Sequence, residues 1–233
     1  MKQSFICPCF NEEKNVKLFA KTILDSFPNT NDYELVFIND GSGDNTFSAL
    51  KELKKESTQN IKIINFSRNF GKESGIYAGL ENSKGDFVVV MDADLQHPPS
   101  FLPKMYEYVK DGEYDCATTR RVSRKGESKV RSWFARKFYK IMNKISDTEI
   151  VDGAQDFRFM SRQMVNAVLS MSEYNRFSKG IFSWVGFKTK WFEHENRERA
   201  AGKTKWSFWK LFAYAVDGII GFSTAPLKIS LFC

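Results

Sequence analysis

Four short apolar runs, each separated from the next by a helix-patterned segment, constrain this chain more than any other feature. The runs are Ser4 to Cys9, Tyr33 to Ile38, Ile61 to Phe66 and Phe87 to Met91. Each is bounded by turn-forming residues and is too short for a helix, so each reads as a buried strand. After the first run, Val16, Phe19, Ala20, Ile23 and Leu24 give the next segment one apolar face. A second helix runs to about Lys55, and a third, rich in small residues, spans Lys72 to Asn82. Strand alternating with helix predicts an α/β fold: a Rossmann-like, mostly parallel, doubly wound sheet flanked by helices. Right-handed crossovers then bring all four strand ends to one rim, where open α/β sheets bind ligands. Pro8, Asp40, Asp44, Arg68 and Asp92 should therefore face one crevice.

The fourth run ends abruptly in Asp92-Ala-Asp-Leu-Gln-His-Pro-Pro99. The carboxylates of Asp92 and Asp94 and the amide oxygen of Gln96, at alternating positions, can converge on one hard cation. An oxygen-only set suits Mg²⁺ or Mn²⁺, with the remaining positions left to water and substrate phosphates. The competing reading makes Asp94 the cap of a helix that begins near Ser100. The other rim loops carry similar ambiguities. In Phe10-Asn-Glu-Glu13, Asn11 is placed to cap the first helix. Asn39-Asp-Gly-Ser-Gly-Asp-Asn45 is a tight turn, in which Asp40 either accepts hydrogen bonds from a ligand or stabilises the turn.

At 233 residues the chain fits one large domain, or a domain with an appendage. A hydrophobic fraction of 42% supplies a core and argues against disorder. The net charge of +7 points to an anionic partner: nucleic acid, a phosphorylated ligand or a membrane surface. Cys7, Cys9, Cys116 and Cys233 match no zinc or disulfide spacing, so they read as reduced in a chain facing the cytosol. The N-terminus leads straight into a strand, leaving no room for a signal peptide. No stretch reaches the roughly 20 apolar residues of a membrane span.

The second half reads differently. A helix, Phe101 to Lys110, and a strand, Tyr114 to Thr118, precede a run from Arg120 to Lys144 with ten Lys or Arg and one acid, Glu127. Trp133, Phe134, Phe138, Tyr139, Ile141 and Met142 recur there at helical spacing. This predicts an amphipathic basic helix, either a solvated face over a core stripe or a face turned to anions or a membrane. Asp156 falls between a turn and a short apolar segment. Helices are expected over Arg162 to Ser170 and Phe177 to Val185, a strand over Lys188 to Glu193, and a basic loop over Asn196 to Lys205. From Trp206 onward the chain is apolar almost all round, with aromatics beside Lys205 and Lys210, as in a helix at a headgroup boundary. The chain stops in a further apolar stretch that reads as the mouth of a transmembrane helix; the alternative is a C-terminal helix docked on the core. The expected division is a domain over residues 1–205 and an interfacial helix with the start of a membrane segment over 206–233.

Six pieces in order carry a resemblance: Pro8-Cys-Phe-Asn-Glu-Glu13, Asn39-Asp-Gly-Ser42, Ser67-Arg-Asn-Phe-Gly-Lys72, Asp92-Ala-Asp-Leu-Gln-His-Pro-Pro99, Asp156-Phe-Arg158 and Arg199-Ala-Ala-Gly-Lys-Thr-Lys205. Together the chain resembles the family 2 glycosyltransferases, in particular the polyprenyl-phosphate type related to dolichol-phosphate mannose synthase and the bactoprenol glucosyltransferases. The resemblance implies a GT-A fold with C-terminal amphipathic juxtamembrane helices. It implies an inverting, metal-dependent transfer from a nucleotide-diphosphate sugar to a polyprenyl (undecaprenyl) phosphate at the cytoplasmic face of the membrane. UDP-sugars are favoured as donor, with GDP-mannose as runner-up. Asp92, Asp94 and Gln96 would hold Mg²⁺ or Mn²⁺. Pro8, Asn11, Glu12, Asp40, Arg68, Lys72 and Asp92 would serve the nucleotide sugar, and Asp156 would handle the acceptor beside the anomeric carbon. Arg120, Arg131, Arg199 and Lys205 would grip the acceptor phosphate, since an Arg fork suits phosphate. A homo-oligomer is expected by analogy. Rival readings are a transferase for a soluble glycan, a basic nucleic-acid binder, and a membrane-binding scaffold without activity. A nucleic-acid partner leaves the acidic strand ends and Asp156 unexplained, so none is expected.

Overall fold

A computed structural model describes residues 2–26, 32–122, 137, 139–140, 142–146, 148, 150–194 and 216–223. In chain order the elements are β1 (Gln3–Cys9), α1 (Val16–Ser26), β2 (Tyr33–Asn39), α2 (Thr46–Glu56), β3 (Asn60–Asn65), α3 (Lys72–Asn82), β4 (Phe87–Val90), α4 (Leu102–Lys110), β5 (Cys116–Arg121), β6 (Ala154–Ser161), α5 (Arg162–Ser170), α6 (Ser178–Trp184) and β7 (Thr189–His194). A 3-10 turn, Pro99–Phe101, leads into α4. The strands form one sheet in the order β3-β2-β1-β4-β6-β5-β7. β1 pairs in parallel with β2 and β4, β2 with β3, and β5 with β7. β6 is antiparallel to both its neighbours, so it alone runs against the rest.

The expected α/β sheet is therefore present, and the four parallel strands lie where the apolar runs are. Three expectations are corrected. β6 did not register as a strand, because its residues Gln155, Asp156 and Arg158 are polar. Arg120 and Arg121 belong to β5 and not to a basic helix. Helix α1 begins at Val16, so Asn11 does not cap it; Asn11 instead takes a left-handed conformation, φ 54°, in the preceding loop.

Apolar side chains close both faces of the sheet. One layer joins Phe5, Phe37, Phe157 and Phe159 to Phe19 and Ile23 of α1, Leu50 of α2 and Leu102 and Met105 of α4. The other joins Ile6, Ile38, Val88 and Val90 to Ile76 and Leu80 of α3, Val165 of α5 and Ile181 of α6. Helix α3 lies unusually close to the sheet, because a Cβ on Gly79 would stand 2.3 Å from Ile6 Cγ2. That closeness explains the small residues of α3 and carries its first residue, Lys72, to the rim.

Residues 216–222 are helical and dock on α6. Phe222 meets Phe177 edge to face at 6.0 Å, and a Cβ on Gly180 would meet the Phe222 ring at 2.5 Å. Among the described residues no helix is long and apolar enough to cross a membrane. Residues 206–215 and 224–233, on which the interfacial and membrane readings rest, lie outside the described residues.

Candidate active site

The loops after β1, β2 and β3 are tied together at the C-terminal rim by side chains that sequence reading had placed there. Asn11 N donates to Ser42 Oγ (2.9 Å), and Asn11 Oδ1 accepts from Gly43 N (2.8 Å). Glu12 N donates to Thr46 Oγ1 at 2.8 Å, and the Glu12 carboxylate accepts from Asn15 at 2.6 Å. Asp40 is buried, and its two oxygens accept from Phe70 N (2.7 Å) and Gly71 N (3.0 Å). Gly41 turns at φ 61°, where a Cβ would stand 2.3 Å from the Arg68 carbonyl carbon; only glycine fits this crossing. The Arg68 guanidinium covers one face of the half-exposed Phe70 at 4.0 Å. Pro8 packs at the end of β1 against Gly75 of α3, where a Cβ would meet Pro8 Cβ at 3.3 Å.

The reversed strand completes the rim. Because β6 runs opposite to β4 with Val90 across from Arg158, continuing the register two residues sets Asp92 across from Asp156. Two carboxylates so placed repel each other, and a cation lies between them. Lys72 Nζ is 2.7 Å from Asp92 Oδ1 and 2.6 Å from Asp156 Oδ2. His97 Nε2 lies 3.5 Å from Asp92 Oδ2, its ring stacked on Phe157 at 5.5 Å.

Ionisation follows from this chain of charges. Burial opposes the charge on Lys72, but Asp156 and Asp92 outweigh it and hold the ammonium pKa well above its usual value. Burial likewise works against ionising Asp92, and Lys72 and His97 overcome it, so the carboxyl pKa lies far below the carboxylate range. Asp156 is also lowered: burial and Asp92 push its pKa up, and Lys72 and Lys179 bring it down further. Beneath the rim the Cys7 thiol, buried and 3.7 Å from Cys9 Sγ, has its pKa raised well above the usual thiol value and is held neutral.

Asp94 is buried and does not cap the following helix; its Oδ1 accepts from Gln96 N at 3.2 Å. Leu95 between them adopts φ 54°, an uncommon conformation for a bulky side chain. Two carboxylates and an amide oxygen on one loop suit a hard divalent cation, which takes few protein ligands and leaves positions to water and phosphate. Among the described residues no group of three or more His, Cys, Asp or Glu gathers as a metal cage.

Other expected residues fall elsewhere. Arg120 on β5 pairs with Glu193 of β7, and no hydrogen bond or ion pair joins it to the Asp92–Lys72–Asp156 group. Arg131, Arg199 and Lys205 lie outside the described residues. Arg158, two residues beyond Asp156, is buried with its guanidinium over Phe182 at 4.4 Å. His97 was missed as a site residue, although its place one residue after Gln96 was a signal.

Residues 4–169 match Glycosyl transferase family 2. The chain belongs to that family. The chain is 47% identical over 236 residues to the putative glycosyltransferase CsbB of Bacillus subtilis (strain 168), covering 100% of this chain and 71% of CsbB. It is 42% identical over 231 residues to a prophage bactoprenol glucosyl transferase homolog of Escherichia coli (strain K12), covering 98% of this chain and 74% of that protein. The GT-A fold is shared with solved structures. The mannosyltransferase PcManGT of Pyrobaculum calidifontis, solved with GDP-Man and Mn²⁺, superposes with a TM-score of 0.64 at 15% identity over 94% of this chain and 63% of its own. Glucosyl-3-phosphoglycerate synthase of Mycobacterium tuberculosis, solved with Mn²⁺, UDP-glucose and phosphoglyceric acid, gives 0.58 at 19% identity over 94% and 77%.

Proposed function

We propose that this family 2 glycosyltransferase moves a hexosyl group, with inversion, from a nucleotide-diphosphate sugar to a polyprenyl phosphate at the cytoplasmic face of the membrane. A UDP-sugar such as UDP-glucose or a UDP-N-acetylhexosamine is the favoured donor. The observation that carries the reading is the pair of opposed carboxylates, Asp92 at the end of β4 and Asp156 at the start of β6, linked by Lys72. Donor-side and acceptor-side groups then meet within one ion-paired array. The bactoprenol glucosyl transferase names among relatives spanning nearly the whole chain support the lipid phosphate as acceptor.

In this reading the donor lies along the interlocked loops, where Pro8, Asn11, Glu12, Asp40 and Arg68 shape its seat. Asp92, Asp94 and Gln96 would hold Mg²⁺ or Mn²⁺, which supplies Lewis-acid stabilisation of the departing diphosphate; Mn²⁺ accompanies the nucleotide sugar in PcManGT. Lys72 adds positive charge beside the same group. An oxygen of the acceptor phosphate bonds to the anomeric carbon while the bond to the diphosphate breaks and nucleoside diphosphate leaves. A phosphate acceptor is already ionised near neutral pH, so Asp156 has little proton to take; it chiefly orients the site. We assign residues 1–205 to catalysis and 206–233 to contact with the membrane surface, and expect a homo-oligomer.

The test is release of nucleoside diphosphate from a panel of UDP- and GDP-sugars with Mg²⁺ or Mn²⁺, with and without a short polyprenyl phosphate. Release that needs both metal and lipid phosphate is expected. Donor binding with no lipid-dependent release sinks the acceptor assignment.

A further inference from the structure

Lys179 sits at the start of α6 and has no hydrogen bond or ion pair to any described residue. Its surroundings are fixed. Phe177, Ser178 and Gly180 beside it are buried, and Gly180 is pressed against the Phe222 ring. The carboxylate of Glu73 accepts from Ser178 N at 3.0 Å and from the Ser178 hydroxyl. Glu73 directly follows Lys72, whose ammonium touches both site carboxylates. One acid thus clamps the start of α6, where Lys179 follows Ser178, to the start of α3, where Lys72 reaches the site carboxylates.

Charges then alternate from the donor side outward: Asp92, Lys72, Asp156, Lys179. Lys72 is already shared by two carboxylates. Lys179 acts on Asp156 only through space, and its three donors meet no partner among the described residues. A phosphate monoester carries a charge of about −1.5 to −2 at neutral pH. Brought up to Asp156 without a cation, it would be repelled. Arg120, the described arginine expected to receive it, is engaged by Glu193.

We propose that Lys179 is the cation that receives the phosphate of the acceptor, and that the Glu73–Ser178 clamp positions it. This rests on the reading of the acceptor as a phosphomonoester. Lys179 is then a binding residue, and Glu73 and Ser178 are positioning residues that touch no substrate.

The test uses Lys179→Met, which keeps the apolar stem, and Lys179→Arg, which restores the charge. Ser178→Ala loosens the clamp. Rates are measured against geranylgeranyl phosphate in detergent micelles, and affinity for UDP by calorimetry. Lys179→Met should raise the KM for the lipid phosphate by about tenfold or more while UDP affinity stays within about twofold. Lys179→Arg should recover most of the loss, and Ser178→Ala should shift the lipid KM in the same direction by less. A lipid KM unmoved in Lys179→Met, or a UDP affinity that falls with it, overturns the proposal while leaving the proposed function standing. A wild-type chain that turns over donor but transfers nothing to the lipid phosphate defeats the acceptor reading itself, and this one with it.

Discussion

Asp156 stays ionised against burial because lysines stand beside it, and this has a measurable consequence in pH. A carboxyl whose folded pKa lies below its unfolded value of about 4 contributes stability that is present above that value. The contribution is lost as pH falls through the folded pKa. For Asp92 and Asp156 the whole window therefore lies in acid, and neither should produce an acidic limb in kcat between about pH 5 and 8. Lys72→Met removes the larger of the two lysine effects on Asp156, so burial drives that pKa up and a limb should move toward neutrality. A pH–rate profile of the variant that keeps the wild-type shape contradicts this account. Asp156→Asn should lower kcat on the order of 100-fold while the donor KM changes little, as initial-rate kinetics will show. At this scale much was legible. The acids at 92, 94 and 156 stood out from the sequence, as did Asp40. The role of Lys72 as a bridge was not legible, because its two partners lie 20 and 84 residues away.

Helix α3 shows how an element aims a side chain. Its glycine face allows a backbone approach that larger residues would block, and the approach delivers Lys72 to the rim. Gly79→Ala should destabilise the protein by about 1–3 kcal/mol, read as a lower urea midpoint with unchanged slope, since the new methyl meets Ile6 and Ile38. Helices α3 and α5 were readable to the residue, α3 from its run of small residues. Strand β6 was not, because its pattern sets Asp156 and Arg158 on the face that also carries the apolar Met160. A buried guanidinium resting on Phe182 looks like a loop residue until the aromatic rings around it are known. The start of α1 was misplaced for a local reason. Asn11 has the composition of a cap, but it spends its side chain on Gly43 of the neighbouring loop.

For the whole molecule, the net charge of +7 and the docked C-terminal helical segment bear on where the enzyme works. Each basic residue near an anionic leaflet contributes about 1 kcal/mol, and the attraction is screened by salt. The chain should therefore float with anionic vesicles at low ionic strength and be released as salt rises. Flotation that is indifferent to both charge and salt would assign the attachment to apolar contact instead. The reversed strand carries a further consequence. Within the sheet, strands β1 to β4 come from the first hundred residues and β5 to β7 from the rest, and the two groups of strands pair only between β4 and β6. A crossover between related genes within the turn that follows β4 would exchange the second half across a strand pairing made of backbone hydrogen bonds, so long as both parents keep the Lys72–Asp156 and Glu73–Ser178 contacts that also cross it. Hybrids joined there should keep the sugar preference of their first parent and take the recipient preference of their second.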